Sequence, residues 1–233
     1  MNGMKFWMVI LLTGLAVCSL WAADEPQGQR TLAVLDFENN SLKDKAEMEP
    51  LCKGLSDMFV TELSKVRQFQ LVERANLQKI LEEMSLGQSG VLEESAAQEV
   101  GKMLGAQNLV LGSFMLMFDG KLRIDARLVE VETGKTLMAE EATGSPNDLG
   151  KLVTRLVTRN IESMNVELTG EEKKALRQTD NRSFDAALLF ARGLDFEEKG
   201  DLANARKCYI QALKHNPKFR RARFRLEAIK GAN

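Results

Sequence analysis

The sequence predicts an α/β (α+β) fold: a mixed sheet built around an antiparallel three-strand meander and packed by helices, followed by an all-helical C-terminal hairpin with a capping helix. Three observations carry this. Residues 104–144 hold three apolar runs separated by Asp119-Gly120 and Thr133-Gly134, and an Asp-Gly pair between such runs signals a hairpin because both turn positions favour positive φ. The flanking stretches change to helical spacing, as at Leu51, Leu55, Met58, Phe59, Leu63 and Val66. From residue 183 onward, small and aromatic residues recur at intervals that suit two crossing helices.

Composition limits what the fold can do. The 233 residues carry a net charge of −1, from 32 basic and 33 acidic side chains, so no global field points to a nucleic-acid partner. The length allows one or two domains with a real core. One histidine, one tyrosine and two tryptophans leave little material for stacking or acid–base chemistry.

The N-terminus reads as an export signal over residues 1–22. Lys5 supplies the positive charge, Phe6 to Leu20 the apolar run, and Ala22 and Ala23 the small residues for cleavage. The run is short for a membrane span. The expected location is the periplasm, in association with the outer membrane. Leu15-Ala16-Val17-Cys18 outlines a lipoprotein box in which Cys18 would be lipidated, but Val17 stands where a small residue is usual. Cys18 is therefore either a hydrophobe within the apolar run or an acylated terminus. Cys52 and Cys208 sit on apolar helical faces and read as buried free thiols.

The elements then follow in order. Thr31 to Phe37 is a strand, residues 47–66 a helix, and Phe69 to Val72 a second strand. A helix carrying Leu77, Ile80, Leu81 and Met84 leads to the connector Gly87-Gln88-Ser89-Gly90, and a further helix spans about 94–104. After the meander, a helix over 147–164 has Ser145 or Asn147 as N-cap and Pro146 in its first turn. These elements make one domain over 31–168; residues 169–182 read as a linker.

If both meander turns hold two residues, Leu111, Ser113, Met115 and Met117 oppose Leu128, Ala126, Ile124 and Leu122 on an apolar face. The other face then pairs Phe114, Leu116 and Phe118 with Asp125, Arg123 and Lys121, a mixed surface with Phe114 and Phe118 at an interface. The same count sets Arg127 against Glu140 as a cross-strand ion pair. The alternation slips at Leu128-Val129, which predicts a bulge.

Residues 183–233 form a different module. Gly193, Phe196, Gly200, Leu202, Ala205, Tyr209, Ala212 and Pro217 fall at the spacing of a tetratricopeptide repeat, and residues 186–219 resemble one such unit. Leu189 and Arg192 depart from its usual residues. The bland alternative is a generic helical hairpin. The expected helices are 183–199, 201–214 and a cap over 217–230. A single repeat cannot bury its own apolar faces, so it must dock on the preceding domain, on another copy or on a partner. Arg192, Phe196, Tyr209, Arg220, Arg221, Arg223 and Arg225 are the candidate partner-binding residues. The basic last helix reads either as a solvated cap or as an electrostatic contact with anionic headgroups, peptidoglycan or an acidic partner.

No residue pattern calls for catalysis, a cofactor or a metal. Thr133-Gly134-Lys135-Thr136 lacks the upstream glycine of a phosphate loop. His215 reads as a surface or helix-end residue, and no Cys/His cluster has ligand spacing. Glu73 and Arg74, where a strand leaves the core, read as structural charges tying that exit to a neighbouring helix or subunit.

Five blocks carry a family resemblance: TLAVLDFENNS, GLSDMFVTELSK, FQLVERANLQKILEE, VGKMLGAQNLVLGS and RLVEVETGKTL. In this order they resemble the CsgG/HfaB family of outer-membrane-associated assembly proteins over residues 31–168. The resemblance implies an extracytoplasmic α/β domain that self-associates, and in the curli channel that assembly forms a secretion pore. LpoB, a lipoprotein regulator of cell-wall synthases, is similar in fold, so the fold does not fix the role. The channel inserts two long hairpins that this sequence leaves out, for Ser113 reaches Arg123 through Asp119-Gly120 alone and Gly144 is followed directly by the next helix. A membrane strand needs about 9–11 residues. The expectation is a non-enzymatic envelope accessory protein that self-associates and binds a protein partner; the alternatives are a secretion-channel subunit and an LpoB-like regulator of a periplasmic enzyme. Mass spectrometry of the mature N-terminus decides the state of Cys18: an acylated cysteine at the terminus proves lipidation, and a start at Ala23 or Asp24 disproves it.

Overall fold

The computed structural model describes residues 29–84, 94–178 and 183–230; the export signal, Cys18 and the connector at Gly87 to Gly90 lie outside these ranges. The described strands are β1 (Arg30–Val34), β2 (Glu38–Asn39), β3 (Phe69–Leu71), β4 (Asn108–Leu116), β5 (Leu122–Glu130) and β6 (Thr136–Gly144). The helices are α1 (Lys45–Met48), α2 (Leu51–Leu63), α3 (Arg74–Glu83), α4 (Glu94–Met103), α5 (Leu149–Ser163), α6 (Gly170–Arg177), α7 (Phe184–Glu198), α8 (Leu202–His215) and α9 (Arg220–Lys230). The six strands form one mixed sheet in the order β3-β1-β4-β5-β6, with β2 continuing the line of β1 along β4. β1 runs parallel to β3 and β4, whereas β4, β5 and β6 are antiparallel.

The period of two along β1 divides the interior into two layers. Leu32 and Val34 point into a core with α2 and α5, while Ala33 and Leu35 join Leu77 and Leu81 of α3 and Ala97 and Val100 of α4 on the opposite face. On α2, Leu51, Leu55, Phe59 and Leu63 fall every four residues and are all fully buried. Each such side chain contributes roughly 1.5–3 kcal/mol by leaving water. α5 enters through a short 3-10 turn, Pro146–Asp148, whose N-cap Ser145 accepts a hydrogen bond from the Asn147 backbone N–H. Ser145 thus caps the turn, whereas α5 itself starts after Asp148, which makes no side-chain cap bond, so neither Ser145 nor Asn147 caps the α-helix.

The register of the meander differs from the two-residue count. Leu116 opposes Leu122, Phe114 opposes Ile124 and Gly112 opposes Ala126. The first turn holds three residues, Phe118 to Gly120, closed by the Met117 N–H donating to the Lys121 carbonyl at 2.9 Å, with Gly120 at φ +79°. The added residue slips the pairing by one, and a one-residue slip sends every side chain to the other face. Phe114 is accordingly fully buried in the α2/α5 core rather than on a mixed interface, and only Phe118, at the turn, is exposed (77 %). The second turn is also longer. The Glu130 N–H donates to Lys135 at 2.9 Å around a loop of Val131 to Gly134, and the bulge expected at Leu128-Val129 is present. Arg127 consequently faces Ala139, and Glu140 faces Ala126, so the expected Arg127–Glu140 pair is absent. The charge pairing on this sheet is carried by Arg123, which binds Asp125 at 2.7 Å and Glu141 at 2.6 Å.

The expected linker 169–182 also folds, with residues 170–177 forming α6. Thr169 and Glu172 make a reciprocal capping box: the Thr169 N–H donates to Glu172 Oε2 at 2.8 Å, and the Glu172 N–H donates to Thr169 Oγ1 at 3.2 Å. Glu172 also accepts from the Arg67 backbone N–H at 3.0 Å, and the Lys65 ammonium donates to the Ala175 carbonyl at 3.1 Å. These bonds strap α6 to the segment that leads into β3. The Arg67 N–H and the Thr169 bonds hold the Glu172 carboxyl below its ordinary value despite burial. A carboxyl with a lowered folded pKa adds stability above its unfolded value, and that contribution fades as pH falls through the folded one. Glu172→Gln should therefore lower stability by about 1–2 kcal/mol near neutral pH, and denaturant titrations should show the gap closing below about pH 4. A gap that persists at acid pH would remove the charge from this account.

Candidate functional site: the docked helical module

α7 and α8 form an antiparallel hairpin whose crossing is set by one glycine. A Cβ on Gly193 would lie 2.3 Å from a ring carbon of Tyr209, so only glycine admits the ring. Tyr209 is fully buried between Phe190 and the small residues Ala205 and Ala212, and its hydroxyl donates to Glu197 at 2.5 Å. Burial, followed by the bond and charge of Glu197, pushes the phenol far above its ordinary value. Phe219 and Ala222 bring α9 onto the same core, with the Phe190 and Phe219 rings 4.8 Å apart. Tyr209 is therefore a core residue and not a partner contact. Phe196 packs half-buried against this core, and Arg192 lies half-buried one turn before it on α7.

The module docks on the α/β domain through α2. The Cβ of Ala191 sits where a Cβ on Gly54 would come within 2.7 Å, which brings the two helices into close approach. Ala187 belongs to the α2/α5 core, with Phe184 and Leu188 packed against it. Charges flank the contact. Lys53 binds Asp195 at 3.3 Å and also Glu198, and Lys199 binds Asp195 at 2.7 Å. Burial alone would raise the Asp195 carboxyl, but the bonds to Lys199 and Lys53 hold it below the usual range. Farther along α2, the buried Asp57 pairs with Arg221 of α9. Burial, and then the like charge of Arg225, pulls the Arg221 guanidinium down to about 10. Arg225 binds Glu197 at 3.1 Å.

The candidate partner residues on α9 thus divide. Arg221 and Arg225 turn inward and hold the module together. Arg220 and Arg223 remain exposed, with Arg223 donating to the Pro217 carbonyl at 2.7 Å. His215 ends α8 on the surface, 3.9 Å from Asp185. Helical phase relative to Phe219, Ala222 and Ile229 does not single out Arg221, because the Asp57 carboxylate that draws it inward belongs to α2.

At the carboxyl end of β1, Arg74 binds Asp36 at 2.8 Å and reaches Ser56 Oγ at 3.3 Å. It thereby ties the start of α3 to β1 and α2. Glu73 is exposed and makes no side-chain cap bond, so Arg74 alone makes the expected tie. Beside this cluster, a cleft of about 610 Å³ opens between the domain and α7, lined among others by Asp36, Glu49, Cys52, Lys53 and Asp195. Burial, then the charges of Glu49 and Asp36, pushes the Cys52 thiol up to about 12, which suppresses its nucleophilic thiolate. Cys208 is raised mainly by burial. Both cysteines are free and half-buried rather than fully buried. Among the described residues, no group of three or more His, Cys, Asp or Glu side chains could hold a metal ion.

The packing at Gly193 gives a direct test. Alanine in a helix interior is favoured over glycine by about 1 kcal/mol. The clash with the Tyr209 ring costs roughly 1–3 kcal/mol, as overpacking does. Gly193→Ala should therefore lower the denaturation midpoint, and a raised midpoint would show that the crossing has slack.

Residues 13–123 match the model of a family described as "Curli production assembly/transport component CsgG". Among solved structures, the LpoB C-terminal domain from Escherichia coli is 19% identical, with 54% of this chain and 89% of that chain covered at a TM-score of 0.40. Lipoprotein GNA1162 from Neisseria meningitidis is 16% identical, covering 60% of this chain and 99% of that one at 0.41. A PelC dodecamer from Paraburkholderia phytofirmans is 12% identical, covering 61% and 91% at 0.35. No curated protein sequence matches the chain. The match to residues 13–123 spans β1 to β4 and the start of β5, so this part of the chain is CsgG-like.

Proposed function

We propose that the protein is a non-enzymatic accessory of the cell envelope, in which a CsgG-like α/β domain self-associates and a tetratricopeptide-like module binds a protein partner. The observation that carries this reading is the family match over residues 13–123, whose described part includes the sheet centre and α2, the helix on which the module is seated. The crossing at Gly193 and Tyr209 supports the repeat reading, because small residues stand where the two helices meet. With Ala187 and Ala191 turned toward α2, the half-exposed Arg192 and Phe196 offer the protein-binding ridge. An extracytoplasmic site near the outer membrane is what the resemblance to this family implies. Among the described residues, no helix is long and apolar enough to cross a membrane.

Light scattering coupled to size exclusion tests self-association: an assembly of several copies is expected, and a strict monomer at high concentration refutes it. For the module, proteins captured from an envelope fraction by the wild-type chain should be lost with the Arg192→Glu, Phe196→Ala double variant. An unchanged set would place the partner surface elsewhere.

A further inference from the structure

Charge is distributed very unevenly along this chain. Between Leu202 and Lys230 there are nine lysines and arginines against one acid, Glu227, a net +8 within a chain whose total is −1. The fold then sorts these cations. Arg221 and Arg225 are neutralised internally by Asp57 and Glu197. Three acids of α7 are likewise engaged, Asp195 and Glu198 by Lys53 and Glu197 by Tyr209 and Arg225, while Asp185 stays exposed beside His215. The charge that remains exposed along α8 and α9 is basic apart from Glu227.

Among the described side chains of α9, the exposed ones are Arg220, Arg223, Phe224, Glu227 and Ala228, which fall at i, i+3, i+4, i+7 and i+8 and so make one stripe. Phe224 lies within it, 68 % exposed, next to Arg223 and one turn after Arg220; Lys218, also exposed, precedes the helix. Phe219, Ala222 and Ile229 secure the opposite side of the helix in the module's core. A phenyl ring held in water beside two arginines has no role in that core. The combination suits a surface that accepts cations and an aromatic ring together: the headgroup layer of an anionic bilayer, where guanidinium groups meet phosphates and the ring reaches the acyl boundary.

We propose that the outer stripe of α9 docks on an anionic phospholipid surface, with Arg220 and Arg223 as the electrostatic contacts and Phe224 as the inserted side chain. This reading does not rest on self-association or on the Arg192–Phe196 ridge. Each can fail without the others.

Vesicle co-sedimentation with the full chain provides the test, using phosphatidylcholine alone and phosphatidylcholine with about one-third phosphatidylglycerol. The apolar N-terminal run is common to every variant, so the readouts are the preference for the anionic vesicles and its change with substitution. The wild-type chain should prefer the anionic vesicles and lose that preference as salt is raised. Arg220→Gln with Arg223→Gln should weaken anionic binding roughly thirtyfold, and Phe224→Ala should weaken it without altering the salt dependence. Because all three positions are exposed, thermal melting should match the wild type. Equal binding to both vesicle types, or a double variant that keeps the preference, would overturn the proposal. So would capture of polyglutamate, lost in the double variant, by a chain that shows no anionic-vesicle preference, since that would assign the stripe to an acidic protein.

Discussion

α2 is buried on two sides, and the rest of the molecule is arranged around that constraint. One flank supplies Leu51, Leu55, Phe59 and Leu63 to the sheet core; the other receives α7 at Gly54. A helix enclosed in this way must satisfy each polar group it takes inside, because an unpaired buried group costs about 1–3 kcal/mol. Ser56, Asp57 and Glu62 are all buried, and each has a partner: Ser56 donates to Asp36 after β1, Asp57 Oδ1 pairs with Arg221 of α9 while its Oδ2 stays without a hydrogen bond among the described residues, and Glu62 pairs with Lys65 just past the helix. The polar residues of α2 therefore specify which way the sheet, the module and the following turn sit against it.

The same logic accounts for the cleft beside α2. Its charged lining is largely committed to holding elements together: Lys53 and Lys199 share Asp195, and Glu49 accepts from Asn39 at 2.9 Å. The chemistry of this face is cohesion between modules, and the outward chemistry lies at α9.

Much of this was legible in the sequence. Strand and helix identities followed from hydrophobic period, and the helix pair from the spacing of Gly193 and Tyr209. The register was not, because Asp119-Gly120 fits a two-residue and a three-residue turn equally well, and the choice moves Phe114 from surface to core. α6 was hidden for another reason. Its residues are mostly charged, and its apolar stripe is too thin to show a period, yet Thr169-Gly170-Glu171-Glu172 carries the capping-box pattern that announces it. The candidate partner residues put Arg221 and Arg225 beside Arg220 and Arg223, since sequence alone does not show which guanidinium meets Asp57 of α2 and which meets water.

The seating of α7 has a mechanical consequence. Its N-terminal half contributes Ala187 to the main core, while its middle and C-terminal half organise the module's own. The hairpin cannot swing away as a rigid unit without opening a hole beneath α2. A pull applied at α9 would pass through Arg221 into α2, and from there through Ser56 and Asp36 to the end of β1. The C-terminal helices thus act as a lever fixed to the sheet.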